Sequence, residues 1–206
     1  MGLLKRFRRQ EIRADPDETM FENALLTALL GSGKATKQMA LQVPTVSGGI
    51  DLIANVVAST PVKLYREENG KAIEVPNDPR VRLLNDETGD TLNANEFWHA
   101  MIRDYYTGKG GYAYINRVRG EIRSLHYVDE SRVAVNRNTD AIFKDFDLLV
   151  DGTVYRPFDF LKLLRNTKDG AVGVPITEEN TKLIEVAYQS LCFELYLVKK
   201  GGNKKG

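Results

Sequence analysis

Few residues in this sequence have types and spacings that could do chemistry. Gly31-Ser-Gly-Lys-Ala-Thr36 superficially resembles a phosphate-binding loop. Such a loop needs a glycine five residues before its Gly-Lys pair and a hydroxyl directly after the lysine, and Ala28 and Ala35 stand there instead. Gly108-Lys-Gly-Gly111 falls between a helical pattern and a strand, whereas a dinucleotide loop joins a strand to a helix, so it reads as a turn that uses positive φ. His99 and His126 lie on different elements with no clustered carboxylate or thiol, and both read as surface or interface residues. Asp145 and Asp147 alternate along a strand without a partner acid or base. Cys192, the single cysteine, excludes an internal disulfide and a thiolate zinc site, and its neighbours assign it to packing. Tyr112-Ala-Tyr-Ile-Asn-Arg-Val-Arg119 interleaves aromatic and basic residues, as single-strand stacking platforms do, but strand alternation produces the same pattern. No triad, carboxylate pair or metal set emerges. The residues point to no enzyme, no cofactor and no metal.

The elements that would position any site form an α+β pattern, hairpins set between helices instead of regular βαβ units. Residues 1–39 read as an N-terminal arm: basic at Lys5-Arg-Phe-Arg-Arg9, acidic near Asp15, then small and polar. Pro44 opens a helix whose apolar face carries Val46, Ile50, Ile53, Ala54 and Val57. Val62–Tyr65 and Ala72–Val75 read as strands around an Asn69-Gly70 turn. A short helix near Arg80–Leu84 and a longer one over Ala94–Tyr106 follow, the latter capped by Thr91 or Asn93. Strands are expected over Tyr112–Ile115, Ile122–Tyr127, Ser131–Asn136, Phe146–Val150 and Thr153–Tyr155, then an apolar segment over Phe158–Leu164. A Gly-rich loop leads to a long helix with Thr177 as N-cap, Ile184, Ala187, Tyr188, Leu191, Leu195 and Val198 as its apolar stripe, and Gly201-Gly202 as its stop.

Composition narrows the function class. The 206 residues carry a formal net charge of +1, with 42% hydrophobic and 28% charged residues, so no global field draws the chain to nucleic acid or membrane. The apolar run at Phe21–Leu30 is too short to span a bilayer, and no membrane partner is expected.

Several stretches, in order, resemble the HK97-type phage portal family. Ala40–Ser59 followed by Thr60-Pro-Val-Lys-Leu-Tyr65 is similar to that family's opening helix and strand, and Val81-Arg-Leu-Leu-Asn85 and Thr91–Phe97 to the next two segments. Gly111-Tyr-Ala-Tyr-Ile115, Gly120–Val128 and Gly170-Ala-Val-Gly-Val-Pro-Ile176 resemble further family strings. Tyr112 departs from the usual asparagine, and the histidine usual after Asp159 is absent. The resemblance covers residues 40–206 and implies a wing-like α+β domain over 40–175, a stem-like helix over 176–200 and, at 201–206, the start of a connection to a further region. It implies a structural, non-enzymatic ring of twelve subunits at one vertex of the virion capsid, assembled in the host cytoplasm. The implied partners are other copies, the large terminase subunit, the major capsid protein or scaffold, a head–tail connector, and double-stranded DNA passing without sequence specificity. Within that frame Lys199, Lys200, Lys204 and Lys205 could form a basic collar facing DNA or the adjacent subunit; alone they read as a solvated helix end. A virion adaptor or a nucleic-acid-processing enzyme are the rival readings, the second lacking any clustered acidic or nucleophilic site.

Overall fold

The computed structural model describes Asn23, residues 33–140 and residues 142–202. Six helices and three small antiparallel sheets alternate along this part of the chain, so the α+β expectation is met. Helix α1 (Lys37–Gln42) begins inside the stretch expected to be an arm, because Thr36 accepts a hydrogen bond from the Met39 amide and caps it. Helix α2 (Pro44–Ala58) follows with proline in its first turn. Strands β1 (Tyr65–Glu68) and β2 (Lys71–Glu74) make an isolated hairpin. Its first strand starts three residues later than the sequence pattern predicts, because Val62 instead pairs through its N–H and C=O with the Asn85 side chain. Asn69 and Gly70 take φ of 52° and 73°, as the tight turn requires.

Helix α3 (Pro79–Asn85) is capped by Asp78. Helix α4 (Ala94–Thr107) starts at a capping box in which the Asn93 side chain accepts from the Glu96 amide and the Glu96 carboxylate accepts from the Asn93 amide. Strands β3 (Gly111–Val118), β4 (Glu121–Val128) and β8 (Phe160–Leu163) form one sheet in the order β4-β3-β8. Strands β5 (Val133–Arg137), β6 (Phe146–Val150) and β7 (Thr153–Tyr155) form a second.

Successive residues of a strand face opposite sides, and β3 uses both. Ala113 packs with Phe97 and Met101 of α4 and with Leu125. Its neighbour Tyr112 packs with Val133 and Leu148 of the second sheet and with Phe160. The β4-β3-β8 sheet is therefore the middle layer, with α4 on one face and the second sheet on the other. Fully buried Phe97 and Met101 each contribute roughly 1.5–3 kcal/mol through area removed from water. Helix α2 lies against α4, and α1 touches both α2 and the long C-terminal helix.

The expected single helix after the Gly-rich loop is two. Helix α5 (Ile176–Glu179) takes Pro175 as N-cap, not Thr177, which is buried inside the turn. Asn180 breaks the path with φ −117° and ψ 30°. Helix α6 (Thr181–Gly202) then runs through the two glycines expected to stop it. At about 1.5 Å per residue its 22 residues make a rod of roughly 33 Å.

Candidate functional site

The loop before α5 fixes where α6 points. Asp169 Oδ1 accepts from the Ala171 and Val172 amides at 2.9 and 3.2 Å, and the Gly173 amide donates to the Lys109 carbonyl. A side chain at Gly173 would meet the Arg165 backbone nitrogen at 2.7 Å, so only glycine lets the two segments approach. Arg165 and Asn166 both bond the Glu179 carboxylate, at 2.6 and 2.7 Å, which holds its pKa below the ordinary value. Helix α5, and with it the start of α6, is thereby tied to the segment that follows β8.

The faces of α6 are unequal to those the sequence stripe described. Ile184 and Glu185 are buried, against α1 and against Gly33, where an added Cβ would lie 2.5 Å from Glu185 Oε1. Further along, Leu195 and Val198 of the expected stripe are 60% and 72% exposed. A second apolar line, Leu183, Val186, Phe193 and Leu197, runs along another side in steps of three, seven and four residues, interrupted by Ser190. Leu183 is 72% exposed and Leu197 40%. The spacing signal for this second stripe was present in the sequence; it was masked because the first stripe alone satisfied the expectation of one buried face. Cys192, expected to pack, is exposed, because it falls on the polar side between the stripes.

Of the four candidate lysines, Lys199 and Lys200 sit in the last turn of α6, where positive charge complements the helix dipole. Both are exposed, and Lys200 Nζ lies 4.9 Å from the centre of the Tyr196 ring. Lys204 and Lys205 lie outside the described residues.

Elsewhere the charged groups neutralise one another. A cleft of about 750 Å³ is lined by residues that include Lys37, Leu92, His99, Arg103, Asp104 and Tyr127. Lys37 Nζ pairs with Asp104 at 2.8 Å and Glu130 at 3.4 Å, and the Tyr127 hydroxyl donates to the other Asp104 oxygen. Burial and then the Asp104 hydrogen bond push the Tyr127 phenol far up, so it stays protonated. His99 Nε2 and Arg103 Nε each stand 3.9 Å from Asp51 Oδ1. His126 lies between Asp90 and Ser124, at 3.2 and 2.8 Å. Asp147 pairs with Arg156, while Asp145 caps its own loop. The structure does not bring the two histidines, Cys192 and these carboxylates together. Among the described residues no group of three or more His, Cys, Asp or Glu could hold a metal ion.

The described residues form a three-layer α+β body followed by a long helix with two apolar sides, and comparison with known proteins gives the chain a family. The phage portal protein family model matches residues 44–206, and the chain belongs to that family. Among solved structures it is similar to a chain in the neck of an empty GTA particle computed with C6 symmetry, with a TM-score of 0.62 and 17% identity. The alignment covers 86% of this chain and 52% of that one, so the chain spans about half the length of its structural neighbour. No curated protein matches. Among the described residues no helix is long and apolar enough to cross a membrane.

Proposed function

We propose that the chain is a structural subunit of a portal ring, the head–tail connector at one capsid vertex through which double-stranded DNA is packaged and ejected. The observation that carries this is the pair of apolar stripes on α6. A helix apolar on one side needs one neighbour; a helix apolar on two sides must be flanked twice. Among the described residues Ile184 is buried at the base of one stripe, while Leu183, Leu195, Leu197 and Val198 of the two stripes are exposed. A head-to-tail ring supplies the remaining neighbours, since each copy then offers stripe one to the copy on its left and stripe two to the copy on its right.

Net charge of +1 fits a conduit. Each phosphate neutralised by a lysine or arginine adds affinity that must be broken for DNA to move on. The ring number of twelve, the contacts with terminase, capsid protein or scaffold and connector, and the basic collar of Lys199, Lys200, Lys204 and Lys205 belong to the same proposal.

Light scattering on a sizing column tests it. A single closed species of many copies, with a mass that no longer grows with concentration, is the expected result. A monomer at every concentration contradicts the proposal.

A further inference from the structure

Helix α2 carries an apolar strip on the side turned away from the body. Val46, Ile50, Asp51, Ala54 and Val57 are buried or half-buried on the side that meets α4. At about 100° per residue, every exposed residue of the helix falls in the opposite half-turn. That half holds Leu52, Val56 and Ile53, at 67%, 60% and 40% exposure, beside Gly48 and Gly49, and no charged group. A surface helix ordinarily turns its polar face to water; this one turns apolar side chains there. Glycine weakens an exposed helix interior but lets another surface come close. Among the described residues nothing lies within 4 Å of a Cβ added at either glycine.

A matching surface lies at the opposite end of the layers, which run from α2 through α4 and the middle sheet to the second sheet. The second sheet turns Val133, Val135, Leu148 and Tyr155 inward, so strand alternation turns Ala134, Leu149 and Val154 outward. Leu149 is the register partner of both Ala134 and Val154, and the three make one apolar row across all three strands. Ala134 is exposed, and Val154 is 59% exposed. The charges that border the row are paired within the chain, Arg132 with Asp151 and Arg156 with Asp147.

We infer that α2 of one copy lies on the second sheet of the next, joining the bodies head to tail. The inference rests on the portal reading and extends its contacts from α6 to the body. Helix on sheet is the layer pairing that α4 and the middle sheet already make inside each chain. Charge selects the occupant. The single charge on α2 is Asp51, so the strip does not attract phosphate, and the neutral pairs around the row do not repel it. The two faces differ and lie at opposite ends of one chain, so the contact repeats from copy to copy, as a ring requires. Area agrees. Leu52, Ile53 and Val56 offer on the order of 200 Å² of apolar surface, against roughly 800 Å² per partner in a stable pair. One such contact does not hold two copies together. In a closed ring each copy is held on both sides, and leaving it breaks two contacts at once.

The test puts lysine into each face separately and reads the ring fraction by light scattering at one fixed concentration, with thermal melts to check each fold. Leu52→Lys/Val56→Lys and, separately, Ala134→Lys/Val154→Lys should each lower the ring fraction at least about tenfold. If the three-residue strand β7 does not tolerate its change, Ala134→Lys alone reads the same face. Loss of rings from the α2 variant alone overturns the inference, because α2 then meets something other than the second sheet. Rings indifferent to both variants overturn it too and leave the portal reading intact. Binding of the parent to phosphatidylcholine vesicles that the α2 variant loses assigns the strip to lipid and overturns the inference. A parent chain that stays monomeric at every concentration overturns the portal reading and this contact with it.

Discussion

The Tyr127 hydroxyl, on the middle sheet, donates a 2.6 Å hydrogen bond to Asp104 Oδ2 on α4, and Lys37 of α1 closes on the other oxygen of the same carboxylate. Three segments far apart in sequence thus meet at one carboxyl that is 4% exposed. Removing it leaves the Tyr127 phenol without its acceptor and the half-buried Lys37 ammonium with Glu130 alone, at 3.4 Å. Asp104→Ala should cost about 2–3 kcal/mol, below the full value of a buried pair because Lys37 retains contact with water. For a chain of this size that lowers the melting temperature by roughly 5–10 °C. A shift under a degree or two would show that the network does not hold α1 to the body.

The same network sets an alkaline limit. Burial lowers the Lys37 pKa, but hydrogen bonding and charge from Asp104 and Glu130 outweigh it, and the net shift is upward. Burial first, then Asp104, raises Tyr127, and burial raises Tyr112. A folded-state pKa above the unfolded value gives stability that is complete below the unfolded pKa and lost as pH climbs through the folded one. Stability should hold below about pH 10 and fall above it. Ultraviolet titration should show Tyr112 and Tyr127 ionising only as the chain unfolds; smooth titration of all tyrosines near pH 10 would contradict this.

On the acid side, Asp78 caps α3 and is held at a pKa of about 2 by the Arg80 side chain and amide. The sign is opposite: a depressed folded pKa gives stability present above the ordinary aspartate value and lost as pH falls through about 2. An NMR titration should place the Asp78 midpoint there, and Arg80→Ala should move it toward the ordinary value. An unchanged midpoint in the variant would remove Arg80 as the cause.

Glycines in two places should respond oppositely to alanine. At Gly111 an added Cβ would meet the Met101 carbonyl oxygen at 2.5 Å, both partners being backbone. Gly111→Ala should destabilise by about 1–3 kcal/mol as strand β3 is pushed off α4. Gly48 and Gly49 lie in the middle of α2 with nothing within 4 Å of an added Cβ. Alanine at either should stabilise the chain by about 0.5–1 kcal/mol. Thermal melts of the three variants decide it, and the same sign at all positions would contradict the packing described.

Much of this architecture is legible in the sequence, for identifiable reasons. Asn69-Gly70, Arg119-Gly120 and Asp151-Gly152 mark three hairpins, and all six residues take positive φ. Helices α2 and α4 follow from apolar spacing bounded by Pro44 and Asn93. What failed was set by long-range contacts. No local signal tells that Asn85 would capture Val62 and delay β1. Gly108–Gly111 was expected to need positive φ; Gly110 does, at 139°, but Gly111 is there because α4 presses on it, which spacing cannot reveal. The absence of a catalytic motif left the assembly surface as the only candidate site. Its second stripe was overlooked because exposure, unlike periodicity, depends on the partner elements.

The most direct measurement of the account is disulfide trapping along α6. Leu195 and Leu197 lie about 160° apart around the helix, so cysteines there cannot bond within one chain. With Cys192→Ser as background, Leu195→Cys/Leu197→Cys should oxidise to a ladder of covalent oligomers ending at the ring number, while either cysteine alone gives no ladder. Dimers and nothing larger from the double variant, or no cross-link at all, would contradict a ring built through two faces of α6.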